Sequence, residues 1–458
     1  MIGCGIASIA AYLPRYRLTA QEIARTQRRP IVQGATRRLA GFDEDALTTA
    51  VEAARGLADL AGRVRSLVFC TTTPPYLVKN NASAAHAALG LPEDVPAFDM
   101  GGAERSVVGT LLGARPGTLI VTGSVNTARP GAPTELAHGD AGAAVLLGDR
   151  DDSIAELVAV ESSTKELLDI WRLPEAPVVR GSEERFPVSV YTSLAERVLS
   201  RLFMRVSRED IDRVIVSAPS SRVRATLART AARIAPVVGV EGIGFSGTSD
   251  LLVQLCGTLG ELGPGQSILV LCLSDGCDAM VFRATDRLAA RRPPGLRAVS
   301  DGETPTYLDA LTWRGLLERE PPRRPEPRPV SPPASARSVS WKYALRGARC
   351  GACGAVSSPP QLVCVRCGSV GADPVDLSTR MATIRTFSVD RLAFSPNPPL
   401  VAAIVDFDGG GRLEAELTDC VAEELAVGQR VRMTLRRRHS SDGIHNYAWK
   451  ATREEPMR

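Results

Sequence analysis

Apolar and polar positions alternate in blocks along the first 290 residues or so. Short apolar runs rich in β-branched residues, bounded by Gly, Asp or Ser, recur at 66–70, 118–123, 143–149, 213–218, 267–273 and 278–284. Such runs predict strands buried on both faces. Between them the period changes to that of a helix. Residues 45–60 place Leu47, Val51, Ala54 and Ala58 on one face, with Asp43, Glu44 and Asp45 at the positive end. Residues 189–203 do the same with Leu194, Val198 and Leu202. Alternating strands and helices predict an α/β layered fold. The stretches 139–149 and 274–286 share an acidic turn, a small residue and a hydrophobic strand, and lie about 135 residues apart. That echo predicts a duplicated α/β half.

A different pattern follows. Residues 321–333, PPRRPEPRPVSPP, predict an extended, semi-rigid linker, and 307–317 before it have helical periodicity, as an arm would. Beyond it, alternating segments at 381–389, 400–407, 412–419, 430–438 and 446–452, with DGGG as a hairpin turn, predict five short antiparallel strands in a small OB-type barrel.

Composition narrows the function classes. The chain has 458 residues, 44% of them hydrophobic and 23% charged, which excludes global disorder. A net charge of +4 supplies no concentrated basic face for nucleic acid. Arg436, Arg437 and Arg438 give the barrel local charge, but aromatics for a base-stacking groove are few. No apolar run reaches the ~18 residues of a membrane span. The opening MIGCGIASIAAYLPRYR reads as a buried strand of a cytoplasmic protein, since it has neither a basic leader nor a cleavage site. In that setting the ten cysteines are thiols, metal ligands or nucleophiles. Cys350, Cys353, Cys364 and Cys367 form two CxxC knuckles, each followed by glycine. Four thiolates in this spacing predict a closed, structural Zn²⁺ site with no open position.

The RC-x2-C…PP…C-x2-CG pattern and the closing DGIHNYAWK resemble the acyl-CoA-associated OB-fold family, whose members accompany thiolases and hydroxymethylglutaryl-CoA synthases. The first region resembles the thiolase superfamily, nearest to hydroxymethylglutaryl-CoA synthase and ketoacyl synthase III. The segments GIASIAAYLPRYRL, FDEDALTTAVEAA, TTTPPYLVKNNA, AFDMGGAER, GDAGAAVLLGD and SDGCDAMVF carry that likeness. It implies a duplicated five-layer αβαβα fold, a homodimer, and a thioester substrate on coenzyme A or on the phosphopantetheine of a carrier protein. The chain then divides into thiolase-like halves at 1–155 and 156–288, an arm and linker at 289–337, a zinc ribbon at 338–372 and a barrel at 373–458.

The family's chemistry uses a cysteine nucleophile at a helix N-terminus, with a histidine and an asparagine. At the matching positions this sequence has Glu104, Ser217 and Phe245, and Thr72 where the synthases have a glutamate base; Lys79 lines up with a family lysine. Three readings stay open. Glu104 acts as an acid or base in aldol-type chemistry, or forms a transient mixed anhydride in acyl transfer; the domain is a silent acyl-CoA-binding scaffold; or another cysteine, with Cys277 the one to test, has taken over. Candidate site residues are Glu104, Ser217, Ser246 and His138. The bland alternatives are that Glu104 caps a helix or pairs with Arg105, that the serines are turn hydroxyls, and that His138 sits in a surface loop.

Overall fold

The computed structural model describes residues 4–27, 34–57, 60, 62–183, 185–296, 302–320 and 324–453. The chain forms two compact units. The first comprises Met1–Ala40, Asp45–Ala85 and Pro92–Tyr307; the second comprises Gly41–Glu44, His86–Leu91 and Leu308–Arg458.

The first unit is organised by nine strands: β1 (Gly5–Tyr12), β2 (Ser66–Thr71), β3 (Ala97–Gly101), β4 (Thr118–Ser124), β5 (Ala141–Gly148), β6 (Ala155–Thr164), β7 (Arg213–Ser217), β8 (Ser267–Cys272) and β9 (Gly276–Ala284). Their order is β7-β8-β9-β6-β1-β5-β4-β2-β3. The duplication is visible in the pairing. β2 and β4 are parallel, as are β7 and β8. β5 runs antiparallel to β4 and β1, as β9 does to β8 and β6. The halves join where β1 meets β6 at Gly5–Glu156 and Ile6–Ala155. In the second half an isolated parallel bridge, Val214–Val237, stands in the place of β3.

The principal helices are α1 (Ala46–Arg55), α2 (Ser106–Gly113), α3 (Arg185–Leu202), α4 (Ser221–Ala231) and α5 (Asp250–Glu261). Strand alternation sorts the core into layers. Ile268 and Val270 of β8 face a central cluster that contains Val107 and Leu111 of α2 and Leu252 and Leu259 of α5. Leu269 and Leu271 face the outer cluster with Leu194 and Val198 of α3 and Leu227 of α4. The two central helices thus lie between the sheet halves, which makes the expected five layers.

Two strands escaped the hydrophobic pattern. β6 alternates buried positions with half-buried Glu156 and Glu161, and β3 is an exposed edge. The helix expected at 45–60 is α1, with Asp45 and Thr48 forming its capping box at 3.0 and 2.8 Å; Ala58 lies outside the described residues. Asp43 and Glu44 do not serve that helix and belong to the second unit.

That unit contains the ribbon sheet, in the order Val356–Ser357, Arg346–Cys350, Ala372–Asp376, and a closed barrel. The barrel order is Ala382–Asp390, Leu400–Phe407, Arg412–Leu417, Ile444–Arg453, Arg430–Ser441. The DGGG turn has φ of +77°, +100° and +105° at Gly409, Gly410 and Gly411. The extended linker needs correction at its end, because Pro332–Arg337 is a helix. Its prolines occupy the first turn, where the missing N–H costs no bond. Pro321, Pro322 and Arg323 lie outside the described residues.

Arg436 is fully buried and is held by Asp419 at 2.9 Å and Glu44 at 3.2 Å, with Asp43 at 3.6 Å. Lys450 bridges Asp43 and Glu416 at 3.0 Å each, and Arg438 pairs with Glu416. Two of the three arginines that lent the barrel its local charge are thus engaged by carboxylates. Among the described residues no helix is long and apolar enough to cross a membrane.

Candidate active site

The site begins at the turn from β3 to α2. Gly101 brings β3 so close to β2 that a Cβ there would lie 3.0 Å from the Thr71 carbonyl oxygen, and Gly102 follows at φ +92°. Ser106 ties the turn by donating its hydroxyl to the carbonyls of Gly101 (3.1 Å) and Ala103 (2.7 Å). Glu104 is thereby set into the wall of a cavity of about 390 Å³, which Thr72, Ser124, His138, Phe245 and Asp275 also line.

The Glu104 carboxylate has one modest partner. Its Oε1 accepts from Thr72 Oγ1 at 3.0 Å. Its Oε2 is shut from solvent and has no hydrogen-bond partner among the described residues. The alternative of an ion pair with Arg105 is contradicted. Arg105 grips Asp278 with both prongs, Nε to Oδ2 at 2.7 Å and Nη2 to Oδ1 at 2.8 Å. Nor does Glu104 cap α2, whose N-terminus has no side-chain cap. Burial pushes the Glu104 carboxyl up to about 7; the nearby Asp250 and Asp275 add to this and the Thr72 hydroxyl opposes it. Such a group takes or gives a proton near neutral pH.

Behind Glu104 lies a chamber of about 10 Å³, bordered also by Ser217 and Cys272. Ser217 donates to Asp250 Oδ2 at 2.7 Å and so faces this chamber, not the main cavity. The Ser246 backbone N–H donates to Asp250 Oδ1 at 3.3 Å, while its buried hydroxyl has no partner among the described residues. Asp250 is itself buried, and desolvation raises its pKa.

His138 does reach the cavity wall, and the surface-loop reading of it is corrected: it is buried. Its ring meets Phe245 edge-on at 5.2 Å, and its Nε2 donates to the Pro219 carbonyl at 2.8 Å. A carbonyl only accepts, so the proton is on Nε2. Burial lowers the imidazole to about 4, which leaves it neutral at pH 7. Lys79 is exposed and bonds to Asn80 and Ser83 instead.

The reading in which another cysteine takes over is contradicted. Among the described residues no cysteine lines the main cavity, and Cys272, on the chamber behind it, is buried with its thiol raised well above the ordinary value. Cys277 packs in the outer core, and burial pushes its thiol up to about 12. Cys70 and Cys256 are likewise raised, to about 11 and about 12. A buried thiol of this kind is not a nucleophile at neutral pH.

In the ribbon, Gly354 (φ +69°) and Gly368 (φ +71°) close the two knuckles, donating to the carbonyls of Cys350 and Cys364 at 2.9 Å. The four sulfurs lie within 4.8 Å of one another. The Cys350–Cys367 and Cys353–Cys364 separations are 3.7 and 3.6 Å. A tetrahedron with Zn–S bonds of about 2.3 Å has edges of about 3.8 Å, so the set fits zinc. Ser369 Oγ lies 3.1 Å from the Cys350 sulfur and 3.0 Å from that of Cys367, and hydrogen bonding with it holds both thiols down, Cys350 to about 6.

Sequence reasoning missed Asp250 and Asp275. Asp250 looks like an ordinary helix-start acid. Asp275 carried one visible signal, its place before a glycine in the SDG turn.

Comparison with known proteins agrees with this architecture. Residues 342–370 match the family model described as ChsH2, rubredoxin-like zinc ribbon domain, and 374–436 match ChsH2, C-terminal OB-fold domain. Hydroxymethylglutaryl-CoA synthase of Pyrobaculum arsenaticum is 30% identical over 325 residues, 65% of this chain and 92% of that one. The synthase of Methanosarcina barkeri is 28% identical over 350 residues, 69% of this chain and 99% of its own. Among solved structures, HMG-CoA synthase complexed with CoA aligns with TM-score 0.57 at 16% identity, covering 67% of this chain and 89% of that one. A Xanthomonas campestris OleA variant aligns with TM-score 0.53 at 17% identity, covering 61% of this chain and 96% of its own. With its duplicated sheet, its layers and these relatives, the chain belongs to the hydroxymethylglutaryl-CoA synthase family, and carries a zinc ribbon and an OB-fold domain beyond it.

Proposed function

We propose that the chain is a cytoplasmic enzyme that makes or breaks the Cα–Cβ bond of a β-hydroxyacyl thioester, with Glu104 as its base. One observation carries this reading. A carboxylate with one oxygen buried and, among the described residues, without a hydrogen-bond partner lines a cavity that no described cysteine lines. In the cleavage direction Glu104 takes the β-hydroxyl proton. The Cα–Cβ bond then breaks, an aldehyde leaves, and the electron pair moves into the thioester enolate. No acyl group is ever bonded to the protein. This assigns to position 104, where the family resemblance expects a cysteine nucleophile, an acid–base role in place of a covalent one.

The substrate class is inferred from relatives, which include a synthase complexed with CoA and another, from curacin biosynthesis, in complex with an acetyl donor-ACP. Coenzyme A or a carrier protein would therefore present the acyl group. Cys350, Cys353, Cys364 and Cys367 would hold a structural Zn²⁺ that supplies rigidity to the ribbon. The exposed edge strand β3, with Phe98 at 59% and Met100 at 44% exposure, supports a homodimer through the thiolase-like unit.

The test is turnover of a panel of 3-hydroxyacyl-CoA thioesters, read as aldehyde release and as intact protein mass. Wild-type protein is expected to turn over and to show no acyl adduct, with kcat rising through an inflection near pH 7. Glu104→Gln and Glu104→Ala should lose about 10²–10⁴-fold in kcat. If both variants keep the wild-type rate, Glu104 is not the base. If wild-type protein binds acyl-CoA and never turns it over, the silent scaffold is the correct reading.

A further inference from the structure

We propose that Asp275 is a second catalytic residue of this cavity, exchanging the Cα proton of the thioester while Glu104 serves the β-oxygen. The inference rests on the proposed aldol-type function and assigns its missing proton.

The internal duplication supplies the first argument. Asp140 precedes β5 as Asp275 precedes β9. Asp140 is fully buried and its carboxylate is occupied, accepting from Ala40 N at 2.7 Å and Asn126 N at 2.6 Å, with Arg37 at 3.9 Å. Its counterpart has no such duty. Among the described residues the Asp275 carboxylate accepts one hydrogen bond, from the hydroxyl of its own neighbour Ser274 at 3.4 Å. The half that needs its aspartate for structure has it tied down, and the half that faces the cavity has it released.

The backbone supplies the second argument. Asp275 has φ +49°, which few non-glycine residues adopt. Its carbonyl is gripped by Lys165 N and Arg105 Nη1, both at 3.2 Å. Arg105 is in turn anchored on Asp278 and Thr164. Gly276 follows at φ +148°, where a Cβ would lie 2.2 Å from the Ser163 carbonyl oxygen. The turn is thus held on both sides, and the carboxylate it carries lines the cavity together with Glu104. Strain of this kind persists where the surroundings over-determine it, and it clusters at functional sites.

The charged surroundings fit a proton donor. Asp169, which accepts from Tyr191 at 2.7 Å, and Glu166 face Asp275 from the loop after β6, Glu104 from the α2 turn, and Arg105 beside it. Burial and then Asp169 push the Asp275 carboxyl up, Glu166 adds to this, and Ser274 and Arg105 oppose it. Asp275 therefore keeps its proton to higher pH than an ordinary aspartate.

The step balances. In cleavage, Glu104 carboxylate gains the hydroxyl proton and the Cα–Cβ pair becomes the enolate. Asp275 carboxylic acid then delivers its proton to Cα, and the product is an aldehyde plus the shortened acyl thioester. Solvent removes the proton from Glu104 and returns one to Asp275. In condensation the roles reverse: Asp275 carboxylate takes the Cα proton and protonated Glu104 gives one to the new alkoxide.

Two readouts separate the residues. Acetyl-CoA in deuterium oxide, with no aldehyde present, reports Cα exchange alone; 3-hydroxybutyryl-CoA reports cleavage. Asp275→Asn is the variant to use, because asparagine accepts a positive φ and keeps the turn. It should slow both exchange and cleavage by about 10²-fold or more, with an unchanged melting temperature. Glu104→Gln should lose cleavage and keep exchange. If wild-type protein cleaves, Glu104→Gln does not, and Asp275→Asn matches wild type in both assays, the Asp275 role is overturned while the function stands. If Glu104→Gln loses exchange and Asp275→Asn keeps it, Asp275 is again overturned. If wild-type protein neither exchanges nor cleaves, the function falls and this inference with it. Should Asp275→Asn melt early, Asp275→Gly, which suits φ +49° better still, must show the same loss of exchange.

Discussion

Replacing Glu104 by glutamine isolates the free energy of burying its charge, whatever the substrate proves to be. An ordinary glutamate titrates near 4.5, and burial moves this one to about 7. The folded state therefore holds a proton that the unfolded chain gives up. By linkage, stability falls as pH rises between those two values and levels off above the higher one. One tenfold change in proton affinity is worth 1.36 kcal/mol, so the full penalty is about 3 kcal/mol. At pH 5 about 1 kcal/mol of it has already appeared, and by pH 8.5 nearly all of it has. Glutamine has the same shape and no charge. Glu104→Gln should therefore gain about 2–3 kcal/mol over wild type between pH 5 and pH 8.5, a few degrees in a calorimetric melt. The comparison between the two pH values cancels any change in packing that is the same at both. If the variant melts below wild type by an equal margin at pH 5 and pH 8.5, the carboxylate is well solvated or paired, and the reasoning fails.

Three other perturbations read different parts of the molecule. Gly247→Ala places a Cβ, at φ +57°, 2.6 Å from Ser124 Oγ and 3.0 Å from Glu104 Oε2; it should cost about 1–3 kcal/mol in a thermal melt and lower turnover by displacing the carboxylate. Cys364→Ser leaves three thiols in the ribbon, so metal analysis should show loss of most of the zinc and proteolysis should open residues 346–376 first. Arg436→Met takes the cation away from buried Asp419 and Glu44, while Asp43 keeps Lys450, which should cost about 3–5 kcal/mol in urea unfolding; restoration of stability by removing Asp419 or Glu44 in the same chain would check that the charge is responsible.

The legible parts of this protein are those where one physical demand acts alone. β8 must be apolar on both faces, and SILVLC shows it; four thiols at CxxC spacing have few uses besides a metal. The illegible parts are those where two demands meet. β6 carries Glu156 and Glu161 on its half-exposed positions, so its alternation was hidden by charge. β3 is an edge whose Phe98 and Met100 face outwards, so its sequence does not resemble its buried neighbours. Asp43 and Glu44 looked like helix-start acids because they precede Asp45, yet they are needed by Arg436 and Lys450, some 400 residues away in sequence. The prolines at 332 and 333 marked a linker by composition and in fact open a helix. Of the candidate site residues, Glu104 and His138 share the main cavity, Ser217 faces the chamber behind it, and Ser246 lies near Asp250. Asp250 was hidden because its partners Ser217 and Ser246 are brought to it only by the fold, and Asp275, marked only by its SDG turn, because sequence does not record that its carboxylate is left almost without partners.

On the proposed reading, the Thr72–Glu104 contact explains how one carboxylate can serve where the family resemblance expects two groups. The resemblance matches Thr72 to the synthase base and Glu104 to the nucleophile, and their side chains meet at 3.0 Å. A carboxylate from position 104 therefore reaches the space that one from position 72 would occupy. The thiol is lost and the base is kept, moved by one hydrogen-bond length. On this reading capture by a thiol is unavailable, and proton transfer is the chemistry assigned to the cavity. A single base can start an aldol cleavage and cannot finish it, because the enolate needs its proton at Cα and the β-hydroxyl proton has gone to Glu104. The finishing group must be a second acid on the same cavity. His138 is excluded by its neutral ring and its bond to Pro219, and Ser217 by its place behind Glu104. Asp99 also lines the cavity, but its carboxylate accepts from the backbone of Asn81 and Ala82 at 2.8 and 2.6 Å. Asp275 is the carboxylic acid left on the cavity after that elimination, and the duplicated fold explains why it was free to take the part.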